Sequence, residues 1–186
     1  MHFYRFPDFW LAYAKYCESQ GSRQEQQACL ERSITALPSS ILLRFALADF
    51  YEEAGHNDRA NETYKLALQE PSIGDRDRTL LWAQYMRYTK RVHGTDAARK
   101  IFIEARKTPN IGWQLFASSA RMEYESGGDP KVAVRVYEHG LRTLINEPDF
   151  VINYADFLQV GKRASERASI CISMHDDDDD DGAYRA

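Results

Sequence analysis

The feature that most restricts the fold of this sequence is an internal repeat of about 35 residues. One column of the repeat is small or flexible and apolar, and the residue two places later is large and apolar. These columns are Ala14, Ala48, Met86, Ala120 and Ala155, and Tyr16, Phe50, Tyr88, Met122 and Phe157. Between them, Leu30, Tyr64, Phe102 and Tyr137 are followed three residues later by Ser33, Ala67, Ala105 and Gly140. Large and small residues at helical spacing let neighbouring helices pack closely.

Glycine, aspartate and proline follow the same period. Glycines end the first helix of each unit, at Gly21, Gly55, Gly94 and Gly128. Short acidic residues precede the second helices, at Asp58, Asp96 and Asp129, and prolines stop them, at Pro38, Pro71, Pro109 and Pro148. This pattern predicts helices over residues 7–20, 24–37, 41–54, 57–70, 76–92, 95–107, 111–126, 130–145 and 148–159, which make four hairpins and one unpaired helix.

The fold class follows from this pattern. The chain is poor in proline and glycine, and 44% of its residues are hydrophobic, which is enough to form a core. A hairpin of two short helices cannot bury its apolar faces alone, so successive hairpins must stack. We predict an all-α protein, a right-handed α-solenoid of helical hairpins.

Charge and cysteine content exclude several classes of protein. The net charge is −4, but six aspartates at 176–181 account for it, so the rest of the chain lacks the strong positive field typical of nucleic-acid binding. The three cysteines, Cys17, Cys29 and Cys171, are scattered, which argues against disulfides and a zinc site and indicates a reducing compartment. We interpret them as small hydrophobic residues. The sequence contains no apolar stretch long enough to cross a membrane and no signal-peptide core.

No motif for catalysis is present. The sequence has neither a glycine-rich phosphate loop nor a nucleophile elbow, and its five histidines lie far apart. We therefore predict a protein that is not an enzyme and that has no cofactor or metal ion.

One basic cluster is a candidate for binding a partner protein or RNA. Seven cations fall within the third predicted hairpin: Arg87, Lys90, Arg91, Arg99, Lys100, Arg106 and Lys107. Asp96 and Glu104 are the only acidic residues in that stretch, so an acidic protein or RNA could dock there. Ordinary solvated helix faces are the alternative interpretation.

Several aromatic residues occur at helical spacing: Trp10, Tyr13, Tyr16, Tyr85, Tyr88, Trp113 and Phe116. Exposed rings could stack on the bases of a single strand. At this spacing, however, aromatic residues more often form the core of a helical protein. We interpret them as core residues.

The motifs of the two helices resemble those of the HAT (half-a-TPR) repeat. First helices carry an aromatic residue followed by Tyr-Ala or Tyr-Met, as in Trp10-x-x-Tyr13-Ala14-x-Tyr16 and Trp82-x-x-Tyr85-Met86-x-Tyr88. Second helices carry Ala-Arg, an aromatic residue, Glu and a small residue, as in Ala98-Arg99-Lys100-Ile101-Phe102-x-Glu104-Ala105. HAT proteins are mostly scaffolds of RNA processing.

Further motifs are similar to one branch, the Suppressor-of-forked family, the large HAT subunit of cleavage stimulation factor. They are Phe45-Ala46-x-Ala48-Asp49-Phe50, Gln84-Tyr85-Met86-Arg87-Tyr88 and Met122-Glu123-Tyr124. The resemblance implies a nuclear, non-catalytic scaffold of pre-mRNA 3′-end cleavage and polyadenylation. It also implies other cleavage and polyadenylation factors as partners, a homodimer in the full-length family, and RNA contact that is weak or indirect. A direct RNA-binding array and a HAT scaffold of splicing or ribosome biogenesis are the alternatives.

The resemblance ends near Gln159, in the middle of a repeat. We therefore predict a HAT array over residues 1–159, taken from within a longer scaffold. Residues 160–186 are predicted to be a disordered acidic tail that is foreign to the family.

Overall fold

The computed structural model describes residues 3–127 and 130–161. The predicted acidic tail from residue 162 onward, including Cys171, lies outside the described residues, as do Gly128 and Asp129. Within the described part of the chain every regular element is a helix, which confirms the predicted all-α class. No described helix is long and apolar enough to span a membrane.

In the described part of the chain, nine α-helices follow a short 3-10 turn over Phe3–Arg5. They are α1 (Pro7–Ser19), α2 (Arg23–Ala36), α3 (Ile41–Glu53), α4 (Asn57–Gln69), α5 (Asp75–His93), α6 (Thr95–Ala105), α7 (Trp113–Glu125), α8 (Pro130–Leu144) and α9 (148–161). All nine predicted helices are present, and no described helix end differs from its predicted position by more than two residues.

The helices pair as four hairpins, α1 with α2, α3 with α4, α5 with α6 and α7 with α8. Each hairpin also packs against the next, through α1 and α2 on α3, α4 on α5, and α5 and α6 on α7. This nearest-neighbour packing is what a stack of repeats requires. The right-handed sense of the solenoid stays a prediction.

Positive-φ glycines close the first helix of each hairpin. At Gly55 the φ angle is +73°, and the amide of His56 donates to the Tyr51 carbonyl oxygen at 2.8 Å. This is the Schellman arrangement, in which a left-handed residue lets the chain reverse after the last turn. In the fourth hairpin the left-handed glycine is Gly127, at +69°, one residue before the predicted Gly128.

The core follows the repeat columns. The large residues of the second helices and the small residues three places later are all buried: Leu30, Tyr64, Phe102, Tyr137, Ser33, Ala67, Ala105 and Gly140. Gly140 shows why the small column is needed. A Cβ atom built on it would lie 2.7 Å from Phe150 Cζ and 3.0 Å from Phe116 Cγ. The close approach of α8 to α7 and α9 therefore requires glycine here.

The interpretation of the seven aromatic residues as core is confirmed for most of them and wrong for two. Tyr85, Tyr88 and Phe116 are buried, and Trp10 and Trp113 pack partly buried against the core. Tyr13 and Tyr16 are 53% and 58% exposed.

The repeat explains why these two side chains are exposed. The residue equivalent to Tyr16 in the third hairpin is Tyr88, whose hydroxyl donates to the Asn57 carbonyl oxygen of the preceding hairpin at 2.7 Å and whose ring lies 5.3 Å from that of Tyr64. Among the described residues no hairpin precedes α1. The same column is therefore buried by a neighbour in later units and exposed in the first.

Candidate functional site

The seven predicted cations do not form one surface. Arg87, Lys90 and Arg91 on α5 line a cavity with residues of α7. Arg106 and Lys107, just beyond α6, line a separate cavity with His139. The predicted cations are thus divided between two cavities of the hairpin.

Arg91 is paired across a hairpin boundary. Its Nε and Nη2 atoms donate to the two carboxylate oxygens of Glu52 on α3, at 2.8 and 2.6 Å. These charge-assisted hydrogen bonds raise the pKa of the Arg91 guanidinium. The ion pair with Glu52 therefore neutralises much of the charge of Arg91 and links the second hairpin to the third.

Arg99 makes a similar pair toward the fourth hairpin. Its Nε and Nη2 atoms both donate to the Glu123 carboxylate at 2.7 Å, and Nη1 donates to Asp96 at 2.9 Å. Glu123 is only 4% exposed, and its hydrogen bonds and negative charge raise the pKa of Arg99. The pairing satisfies an acidic group that would otherwise be buried alone, which gives Arg99 a structural role.

Arg87 and Lys90 on α5 lie beside a further cation, Arg121, which the sequence analysis did not predict as part of the site. Arg121 on α7 lines the same cavity as Arg87 and Lys90, and Ser118 and Glu125 are also among its walls. The volume of this cavity is about 290 Å³. Lys90 also donates to the Met122 carbonyl oxygen at 3.3 Å. None of Arg87, Lys90 and Arg121 forms an ion pair with an acidic side chain of a described residue.

The repeat contained the signal for Arg121. Arg87 and Arg121 each follow directly after the small or flexible column, at Met86 and Ala120. Equivalent positions on stacked first helices lie on the same face of the array. A charge repeated at that position in adjacent units therefore predicts two cations on one surface, although they are more than thirty residues apart in sequence.

Two further cavities continue from the first. Arg87, Ser118 and Arg121 also line the second, of about 210 Å³, which reaches Gln114 and Asn153. Arg121 and Asn153 line the third, of about 350 Å³, with Tyr124, Phe157 and Val160 among its other walls. Arg121 lines all three cavities, and we call the region that they occupy on α5, α7 and α9 the first-helix groove.

No three potential metal-ligating side chains, of His, Cys, Asp or Glu, come together among the described residues. Cys17 and Cys29 are buried and unpaired, as small hydrophobic residues would be. Cations, side-chain amides and a hydroxyl group line the groove.

The family model described as Suppressor of forked protein matches residues 1–171. This chain belongs to the Suppressor of forked family. The resemblance predicted from the helix motifs is confirmed. The family match ends at residue 171, beyond the boundary predicted at Gln159, and that domain boundary stays a prediction.

Three relatives of this family member illustrate the similarity. It is 34% identical over 158 residues to cleavage stimulation factor subunit 77 of Arabidopsis thaliana, across 85% of this chain and 21% of that protein. Its identity to protein suppressor of forked of Drosophila melanogaster is 38% over 130 residues, covering 69% and 17% of the two chains. Its identity to mRNA 3'-end-processing protein RNA14 of Cryptococcus neoformans is 26% over 224 residues, covering 82% and 21%. The chain spans about a fifth of the length of these relatives.

Replacing Arg99 by Ala in this Suppressor of forked chain is expected to lower the free energy of unfolding by about 2 kcal/mol. The substitution leaves the Glu123 carboxylate buried without its partner. The effect is smaller than for a fully buried pair, because the Arg99 side chain is 47% exposed. Urea unfolding followed by circular dichroism measures the change.

The control is Arg23→Ala, which removes a cation whose ion pair with Glu53, at 3.6 Å, is exposed on both sides. Surface pairs of this kind contribute about 0–1 kcal/mol. Equal losses for the two variants would show that burial of Glu123 does not determine the strength of its pair.

Proposed function

We propose that this chain acts as a non-catalytic scaffold in pre-mRNA 3′-end cleavage and polyadenylation, in the nucleus, through contacts with other processing factors. The observation that carries the proposal is membership of the Suppressor of forked family, whose relatives include a cleavage stimulation factor subunit and mRNA 3'-end-processing proteins. The stacked hairpins and the first-helix groove support it, because they offer an extended surface for protein partners.

A pull-down from nuclear extract tests this function. The tagged full chain is expected to enrich cleavage and polyadenylation factors, measured by quantitative mass spectrometry against a tagged helical-repeat protein of similar size and charge. Enrichment of splicing or ribosome-assembly factors instead would favour the alternative HAT scaffolds. Recovery of the same proteins by both baits would contradict a scaffold function in this chain.

Direct RNA binding is the second candidate, and the cations Arg87, Lys90 and Arg121 in the groove favour it. The scaffold proposal expects weak binding to single-stranded RNA that is indifferent to sequence and falls steeply with salt. An RNA-binding array would retain tight binding to a preferred sequence at physiological salt. A titration of labelled RNA oligonucleotides at several salt concentrations separates the two functions.

Self-association is a further part of the proposal, since the resemblance implies a homodimer in the full-length family. Light scattering coupled to size-exclusion chromatography measures it on this chain. A concentration-independent monomer would restrict dimerisation to longer members of the family.

A further inference from the structure

The first-helix groove changes in chemistry along its length. The end formed by α5 and α7 is cationic, with Arg87, Lys90 and Arg121 on its walls. The adjoining end, between α7 and α9, shares Arg121 and Glu125 with the cationic end and adds apolar walls from Tyr124, Phe157 and Val160. A ligand that fills the groove must therefore combine negative charge at one end with an apolar group at the other.

The cationic end carries an excess of positive charge. Four cations surround the cavity there, and Glu125 is its one acidic wall residue. Glu52 compensates Arg91 from outside the cavity. Arg87 and Arg121 are exposed, and a planar guanidinium can form two parallel hydrogen bonds with a carboxylate. This end is suited to acidic side chains.

The cavity that reaches Gln114 and Asn153 provides uncharged hydrogen-bonding groups. Asn153 Oδ1 accepts a hydrogen bond from the Tyr137 hydroxyl at 2.8 Å, so the NH2 group of Asn153 is the part of that amide left to donate. Gln114 and Ser118 line the same cavity. Side-chain amides and hydroxyl groups can hydrogen-bond the main chain of an extended peptide, whose carbonyl and amide groups need partners.

We propose that the first-helix groove binds an extended acidic segment of a partner protein, with carboxylates at Arg87 and Arg121 and an apolar side chain against the rings of Tyr124 and Phe157, which pack edge to face. This inference rests on the scaffold function proposed above and names the class of partner segment. Charge complementarity orients the segment, because Asp156 in the apolar end repels its acidic part.

The walls fit a peptide better than a nucleic acid. Single-stranded RNA is held by a basic track together with exposed aromatic rings that stack on its bases. In the groove Tyr137 is buried, Trp113, Tyr124 and Phe157 are partly buried against the core, and two carboxylates, Glu125 and Asp156, lie where phosphates would have to pass. The acidic walls penalise a continuous phosphate backbone, whereas a peptide needs carboxylates only beside Arg87 and Arg121.

Fluorescence anisotropy with synthetic peptides tests the proposal. The probe is a labelled peptide with a run of glutamates followed by leucine, and the same peptide with glutamines serves as its uncharged counterpart. Both are titrated with the full chain. A parallel series uses the full chain with the six aspartates at 176–181 replaced by asparagine, since those carboxylates could compete for the groove.

The double variant Arg87→Glu with Arg121→Glu is expected to weaken binding of the acidic peptide by roughly tenfold or more, and added salt should weaken binding to the unchanged chain. The matched control is Arg135→Glu with Arg142→Glu, which makes the same change of charge at exposed positions on α8, outside the groove. Thermal unfolding by circular dichroism checks that both variants are folded.

Three outcomes would overturn the proposal: equal binding of the glutamate and glutamine peptides, equal loss in both double variants, or RNA of the same length that binds more tightly and displaces the peptide. The nuclear pull-down is repeated with Arg87→Glu, Arg121→Glu. If peptide binding fails while the unchanged chain still enriches processing factors, the groove proposal is wrong and the scaffold function stands. If the unchanged chain binds the acidic peptide but enriches no processing factor, the reverse holds.

Discussion

Replacing Phe150 by Ala is expected to lower the free energy of unfolding by about 3–5 kcal/mol. The Phe150 side chain is fully buried, and its ring centroid lies 5.6 Å from that of Tyr137 and about 6 Å from those of Trp113 and Phe116. Truncation removes the transfer free energy of the ring and leaves a cavity among rigid aromatic neighbours. Urea unfolding followed by circular dichroism measures the loss.

A matched control lies two residues further along α9. Ile152 is 60% exposed, and Ile152→Ala is expected to change the free energy of unfolding by less than about 0.5 kcal/mol. Hydrogen exchange then shows whether Phe150→Ala releases α9 alone or destabilises the whole array. A loss for Phe150→Ala no greater than that of the control would mean that α9 does not dock through this ring.

Gly140→Val is expected to destabilise the chain by about 3 kcal/mol and to lower the melting temperature by about 6–12 °C. The first added carbon would already lie 2.7 Å from Phe150 Cζ and 2.9 Å from Phe150 Cε1. Both atoms belong to a buried ring that cannot move without displacing α9. Calorimetry or thermal circular dichroism measures the shift.

The control is Gly74→Val. The φ angle of Gly74 is −70° and its ψ angle is 165°, and no atom lies within 4 Å of an added Cβ atom. A branched residue adopts this extended backbone without strain, but Gly74 is the N-cap of α5 and valine caps less well, so the expected loss is about 1 kcal/mol, well below that of Gly140→Val. Similar losses at Gly74 and Gly140 would show that the packing at Gly140 is not the cause.

The stability losses caused by Gly140→Val and Phe150→Ala are also expected to be non-additive. The alanine removes the ring atoms against which the valine would clash, so the double variant is expected to lose less stability than the sum of the two single variants. A double-mutant cycle measures this coupling energy. Simple additivity would contradict direct contact between the two positions.

Helix positions were predictable because their determinants are local. The turn glycine and the apolar period lie within or beside one helix, and α3, for example, is predicted at residues 41–54 and observed at Ile41–Glu53. The predicted caps Asp58 and Asp96 are wrong, because both lie in the first turns of α4 and α6 and neither helix has a side-chain cap. The start of α7 is among the three least accurate boundaries, with the ends of α6 and α9. It was predicted at residue 111, whereas the helix begins at Trp113, after the extended Gly112 whose amide donates to the Thr79 hydroxyl at 2.9 Å. That contact joins two hairpins, so the sequence around residue 112 contains no local pattern from which the helix start could be predicted.

The candidate site was only partly predictable for the same reason. Arg87, Lys90 and Arg91 were found from charge density alone, and Arg87 and Lys90 line the groove as part of its cationic end. The charge count could not identify Glu52 and Glu123 as the partners of Arg91 and Arg99, because those acidic residues lie on neighbouring hairpins. It also missed Arg121, whose position beside Arg87 depends on how α7 stacks on α5.

The sequence by itself determined the repeat, the all-α class and the family of this protein, because a period of hydrophobic residues and turn glycines is a local and redundant signal. The tertiary structure alone decided which charges are neutralised, which rings are exposed and where a groove opens. Tyr16 and Tyr88 occupy the same repeat position, yet one is exposed and the other buried, since burial depends on the neighbouring hairpin and not on the residue. The neighbouring hairpin also decides that Arg99 is paired with Glu123 between two hairpins, whereas Arg87 remains exposed in the groove.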